Sequence, residues 1–149
     1  MAELIFTSSG NPDFVALTQM LDAGLRIIDG DEAPFFAQYN RIEGLPCTVV
    51  AYENGEAVGC GAYKEYEPGT VEIKRMFVKE NQRGKGIAGA VLNALEQHAR
   101  GAVYASAILE TGRKMLPAIR LYRRSGYTEI AAYGQYIGIG SSICMQKKL

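Results

Sequence analysis

Apolar residues along this chain either alternate with polar ones or recur every three to four positions, and the two patterns divide it into strands and helices. Leu4 to Thr7 reads as a short first strand. Phe14, Leu17, Leu21 and Leu25 share one helical face. Ser9 or Asn11 is placed to cap that helix, Pro12 sits in its first turn, and Gly30 breaks it. Asp31 is placed to cap a second, shorter helix through Tyr39, with Pro34 early in it. Cys47 to Tyr52 and Ala57 to Tyr63 are apolar, partly β-branched runs, and Asn54-Gly55 lies between them. Asn-Gly tolerates positive φ at both central turn positions, which predicts a hairpin. Glu67-Pro68-Gly69-Thr70 predicts a type II turn leading into a third antiparallel strand, Val71 to Val78.

A glycine-rich entry follows, then a long helix with Ile87, Val91, Leu95 and Ala99 on one face, joined by Ala88 and Leu92. Gly101 is expected as its C-cap. Val103 to Leu109 is the next strand. Pro117 opens a helix carrying Ile119, Leu121 and Tyr122, closed by Gly126. Tyr127 to Ile130 and Ser142 to Gln146 are expected as the final strands. The predicted class is α/β (α+β), a mostly antiparallel sheet of about six or seven strands flanked by about four helices. The strand–helix–strand passage through residues 71 to 109 predicts a right-handed crossover.

Composition narrows the function. The 149 residues suit one domain, residues 1–149, and an apolar fraction of 48% suffices for its core. Lys plus Arg equal Asp plus Glu at 16 each, so no basic field points to nucleic acid or a membrane surface. No apolar run nears the roughly 20 residues that span a bilayer, and the first residues lack a signal-peptide pattern. Cys47, Cys60 and Cys144 are odd in number and widely spaced, with no CxxC pair for zinc. A reducing, cytoplasmic setting is expected, with no metal and with the cysteines packed as small apolar groups.

The chemistry concentrates in Gln82-Arg83-Gly84-Lys85-Gly86-Ile87-Ala88-Gly89. Glycines at a helix start let backbone approach a ligand, the first-turn amides have no intrahelical partners, and the helix dipole favours an anion there. Arg83 and Lys85 add positive charge, so the segment suits a pyrophosphate. Gly84 to Gly89 also matches the GxGxxG dinucleotide fingerprint. However, five residues separate Val78 from Gly84, and residue 104 is Tyr where an acidic residue is required. A P-loop fails because Gly86 follows Lys85 in place of Ser or Thr.

Arg83-x-x-Gly86-x-Ala88, a few residues after Met76-Phe77-Val78, resembles motif A of the GNAT superfamily of N-acetyltransferases. Ala118 to Tyr127 resembles its motif B, A-x-x-L-Y-x-x-x-G-F, and Val71 to Val78 is similar to its central fourth strand. Leu109-Glu110-Thr111-Gly112 and Tyr133-Gly134-Gln135-Tyr136 are similar to steps in small bacterial members. The resemblance implies acetyl-CoA as co-substrate, with its pyrophosphate held by amides of Arg83, Gly84, Lys85, Gly86, Ile87 and Ala88. It implies that the fourth and fifth strands splay, freeing Met76, Phe77 and Val78 to pair with the pantetheine arm. A backbone N–H near Phe77 would stabilise the tetrahedral oxyanion.

The acceptor amine must lose a proton, since alkylammonium groups titrate near ~10. Glu72, six residues before Val78, matches the strand glutamate that serves as base in histone-acetylating members. Lys74 shares its face of the strand and would weaken it by pairing, so a solvated carboxylate on an alternating strand stands equal beside the base. Glu110 is the alternative base, with a structural hydrogen-bonding role open to it too. Tyr122 matches the motif B tyrosine that protonates departing CoA. Met115 stands where many members carry Asn, so the contact to the pantetheine passes to Thr111 or a main-chain group, or is absent. Tyr39, Glu110, Tyr133 and Tyr136, with Phe35 and Phe36, are candidates to line the pocket of a small-molecule or peptide amine. His98, late on the long helix, is expected at the surface. The resemblance allows a homodimer, and it allows a CoA-binding sensor without turnover as the alternative to an enzyme.

Overall fold

The computed structural model describes residues 2–149. Its strands are β1 (Glu3–Thr7), β2 (Cys47–Glu53), β3 (Glu56–Glu67), β4 (Thr70–Val78), β5 (Ser106–Gly112), β6 (Thr128–Ile130) and β7 (Ser142–Lys148). Its helices are α1 (Pro12–Asp29), α2 (Ala33–Ala37), α3 (Ile87–Gly101) and α4 (Leu116–Arg124). The sheet runs β1-β2-β3-β4-β5-β7-β6, and every pair is antiparallel except β4 with β5. The mixed, mostly antiparallel sheet is as expected from the sequence. α3 links the one parallel pair.

Alternation along the strands divides the core between two faces. Val49, Ala51, Val71 and Ile73 pack with Val91, Leu92 and Leu95 of α3 and with Ile119 and Tyr122 of α4. Val50, Cys60 and Ala62, from the alternate positions, pack with Phe14 and Leu17 of α1. A Cβ on Gly61 would lie 2.6 Å from Met76 Sδ and 2.8 Å from Val91 Cγ1, so β3 has no room for a side chain where α3 crosses it. Asn11 caps α1: its Oδ1 accepts from the amides of Asp13 and Phe14.

Two features set up the centre of the sheet. β4 and β5 pair only at Thr70, Val71 and Glu72 against Ser106, Ala107 and Ile108. Beyond that point they part, while β5 continues against β7 through Gly112. The expected splay is therefore present. β4 also carries a bulge: its register against β3 shifts between Cys60 and Ala62, and Arg75 takes φ 58°. The extra residue puts Glu72, Lys74, Arg75 and Phe77 toward α1, and Ile73, Met76 and Val78 toward α3.

Three expectations need correction. Asp31 does not cap a helix: Gly30–Glu32 is a 3-10 turn, and α2 is only Ala33–Ala37. The fifth strand begins at Ser106, three residues later than expected, and runs on through Gly112. Gly101 is the last helical residue of α3 and not its cap. The amides of Val103 and Tyr104 close on the carbonyls of Arg100 and Ala99, a Schellman arrangement that puts Val103 at φ 70°. A β-branched residue is strained there by roughly 1–2 kcal/mol, and the Val103 side chain is exposed. Val103→Gly should therefore raise stability by about 1 kcal/mol in urea unfolding. A less stable variant would contradict the left-handed assignment.

Candidate active site

The glycine turn stands after a single 3-10 turn that follows β4. Gly84 (φ 80°) and Gly86 (φ 81°) both occupy the left-handed region, and Gly86 caps α3 with no side-chain bond. The first intrahelical bond runs from Ala90 N–H to the Gly86 carbonyl. Among the described residues the amides of Gly84 through Gly89 have no acceptor. Beyond their chain neighbours, nothing lies within 4 Å of a Cβ built on Gly84 or Gly86, so the turn is open on that side. Arg83 folds back, its Nε donating to the Val78 carbonyl at 3.0 Å and its guanidinium lying over Phe77. Lys85 donates to Gln82 Oε1 at 2.8 Å and lies 3.8 Å from Glu53. Unpaired amides, an open cradle and two cations fit a diphosphate.

The splay leaves a cavity of about 120 Å3 through the sheet. Leu21 and Leu25 of α1 line it from one face, and Ala118 and Tyr122 of α4 from the other. It brings together Glu72, Met76, Glu110, Thr111, Tyr122 and Tyr136 from the predicted set, together with Phe36 and Met115. Phe77, Val78 and the turn residues 83–88 do not line it. Tyr39 lies behind Tyr136, edge to face with it and with Phe35. Tyr133 is reached through Glu72. His98 is exposed, hydrogen-bonded at 2.7 Å to Tyr63.

The two carboxylates differ sharply. Glu72 is buried, and both its oxygens are engaged: the Tyr133 hydroxyl donates to Oε2 at 2.6 Å, while Lys64 and Lys74 lie 3.8 and 3.9 Å from Oε1. Glu110 receives one hydrogen bond, from the Ser142 hydroxyl at 2.7 Å. Burial drives its carboxyl up to about 7, against lowering by Ser142 and Lys74. Burial also raises the Tyr122 phenol, with the Glu110 charge adding to the effect, so Tyr122 stays protonated at neutral pH. The Thr111 hydroxyl donates to Met115 Sδ at 3.8 Å, so the residue standing in for Asn is a partner of Thr111. Cys47, Cys60 and Cys144 are free and buried, and none lines the cavity. Burial pushes the first two thiols up to about 11 and about 12 and raises the third.

Sequence reasoning missed Asp29 and Arg75, and treated Lys74 only as a partner of Glu72; all three line the cavity. Asp29 ends α1 and carries no motif. Arg75 reaches this face only through the bulge.

The profile of the acetyltransferase (GNAT) family matches residues 15–127. The chain belongs to that family. It is 38% identical over 102 residues to an IAA acetyltransferase of Azospirillum brasilense, covering 68% of this chain and 67% of that one. It superposes with a TM-score of 0.84 and 31% identity on a Klebsiella pneumoniae protein assigned to the acyl-CoA N-acyltransferases, covering 100% and 98% of the two chains. A Bacillus subtilis acetyltransferase crystallised with CoA has the same fold, with a TM-score of 0.75 at 17% identity over 100% and 99% of the chains. This GNAT chain is thus an acyltransferase. Among its described residues no helix is long and apolar enough to cross a membrane, and no group of three His, Cys, Asp or Glu could hold a metal ion.

In this GNAT enzyme, Gly86→Glu should abolish CoA binding by calorimetry, because bulk and negative charge then fill the open cradle. Unchanged affinity would remove the turn from the binding site.

Proposed function

We propose that this GNAT enzyme is an acetyl-CoA-dependent N-acetyltransferase that acetylates a small primary amine directly, within a ternary complex. The observation that carries this reading is the meeting of Glu110 and Tyr122 in one cavity at the parting of β4 and β5. The amides of Gly84 to Ala88, with Arg83 and Lys85, hold the coenzyme's diphosphate. The parted backbone of Met76 to Val78 and the hydroxyl of Thr111 guide its arm. Arg83 must release the Val78 carbonyl if that group is to pair with the arm. When bound, acetyl-CoA supplies an activated acetyl thioester.

Glu110 takes one proton from the acceptor's ammonium. A carboxyl at about 7 is half ionised at neutral pH, which suits a general base. The free amine then forms the C–N bond, the C–S bond breaks, and Tyr122 gives its proton to the departing sulfur. Tyr122 is made neutral again by the second proton from nitrogen, so the balance is one amide, one thiol and one proton released. Glu72, held by Tyr133, Lys64 and Lys74, positions the polar cluster. A thiol intermediate has no support, since no cysteine lines the cavity and burial holds all three as thiols.

Thiol release from acetyl-CoA over an amine panel tests the reading. Binding without release for every amine would favour a sensor. Glu110→Gln should lower kcat about a hundredfold and remove the rise in kcat/KM centred near pH 7. Its effect on stability follows from the same group. Because the folded carboxyl is raised, the unfolded chain ionises first, and stability falls as pH rises from the unfolded value through about 7. Glu110→Gln should therefore gain more in Tm over the parent at pH 8 than at pH 5. A rising limb that survives in this variant would exclude Glu110 as the base. Tyr122→Phe should lower kcat about a hundredfold with little change in CoA affinity. An unchanged single-turnover rate would exclude Tyr122 as the acid.

A further inference from the structure

Beyond the acid and base, the cavity contains a cation with no hydrogen bond. Lys74 lines it, and the side chain is 7% exposed. Among the described residues its ammonium donates no hydrogen bond. The Glu72 carboxylate lies 3.9 Å away, beyond hydrogen-bond reach, and is shared with Lys64 and Tyr133. An ammonium at a cavity wall that makes no hydrogen bond to the protein is free to donate to a ligand there. Burial lowers the Lys74 pKa, with the Glu72 charge opposing.

The next residue repeats the theme. Arg75 also lines the cavity, with its side chain 1% exposed. Its terminal nitrogen donates to the Thr18 carbonyl at 3.0 Å and to Asp22 at 2.6 Å, but its buried Nε has no partner. Two successive cations reach one face of β4 only because the chain accepts positive φ at Arg75, a strain of the kind retained at functional sites.

Apart from Glu72 beside Lys74 and Asp22 on Arg75, two further carboxyls border the cavity. Glu110 is on β5, and Asp29 is on the cavity's margin, where it joins a second hollow of about 240 Å3 between α1 and α2. Burial raises the Asp29 carboxyl, and Glu32 adds to it. An acceptor entering between α1 and α2 thus passes a carboxyl before it meets Glu110 and Lys74.

We propose that the acceptor is an amino acid, whose carboxylate is bound by Lys74 while its amine faces Glu110. This rests on the N-acetyltransferase reading and names its substrate class. Lys74 acts as a specificity determinant: it offers a carboxylate the hydrogen bonds that Glu72, at 3.9 Å, does not take, repels a second ammonium such as that of a diamine, and gains nothing from a neutral amine. The arrangement also fixes which end of the molecule lies near the base.

The test is thiol release from acetyl-CoA with the proteinogenic amino acids, their carboxamides and their decarboxylated amines, with acetyl-CoA binding measured in parallel. At least one amino acid should exceed its carboxamide and its amine in kcat/KM by about tenfold or more, because the neutral analogue brings no charge to the Lys74 ammonium. Lys74→Met should bring the acid and its carboxamide within about threefold, and Lys74→Arg should retain part of the preference. Comparable or better rates with carboxamides or amines in the parent enzyme would overturn the amino-acid assignment and leave acetyl transfer standing. So would an acid preference that survives intact in Lys74→Met, for Lys74 as its source. Bound acetyl-CoA with no thiol release for any acceptor would overturn the transfer reading and this inference with it.

Discussion

The site depends on one backbone event: two parallel strands that pair for three residues and then separate. β4 and β5 stay together through Glu72 and Ile108, and beyond that point β5 is held by β7 while β4 is held by β3. Each strand keeps an antiparallel partner on its outer edge, so the parting does not unravel the sheet. It does leave inner-edge backbone groups without a strand partner and opens a passage between the two faces. Unmade backbone hydrogen bonds are costly in a protein interior, so such a gap is maintained where a ligand can complete it. The glycine turn follows β4 after one 3-10 turn, and its amides have no acceptor among the described residues.

Burial then separates groups that look alike in the sequence. Glu72 and Glu110 both sit on central strands beside the gap. Glu72 is surrounded by donors, which leaves its oxygens committed. Glu110 has a single hydroxyl, and desolvation dominates its titration. The carboxylate that the resemblance ranks first as base has both oxygens engaged, which is why the proposed mechanism puts the base at Glu110.

Much of the fold was legible because its signals are local. Asn54-Gly55 lies at the turn between β2 and β3, Asn11 caps α1, and the spacing of Ile87, Val91, Leu95 and Ala99 marks the buried face of α3. The glycine turn was legible because it uses backbone geometry that few residues other than glycine accept. Less legible were features set by distant partners. Tyr133 meets Glu72 across 61 positions, and nothing near either residue announces the contact. The bulge at Arg75 breaks an alternation that a strand pattern assumes, and so hides that Lys74 and Arg75 share a face. Val103 takes a position that glycine would normally hold, which drew the expected cap to Gly101, two residues too early.

The central claim is that unbonded amides from Gly84 to Gly89 grip the coenzyme and aim it into the gap between β4 and β5. Backbone amide resonances followed by NMR as CoA is added test it most directly. The account predicts that amides of this turn move downfield and gain protection from exchange, with smaller changes along Met76 to Val78. Saturable CoA binding that left the turn unmoved and shifted residues elsewhere would contradict it.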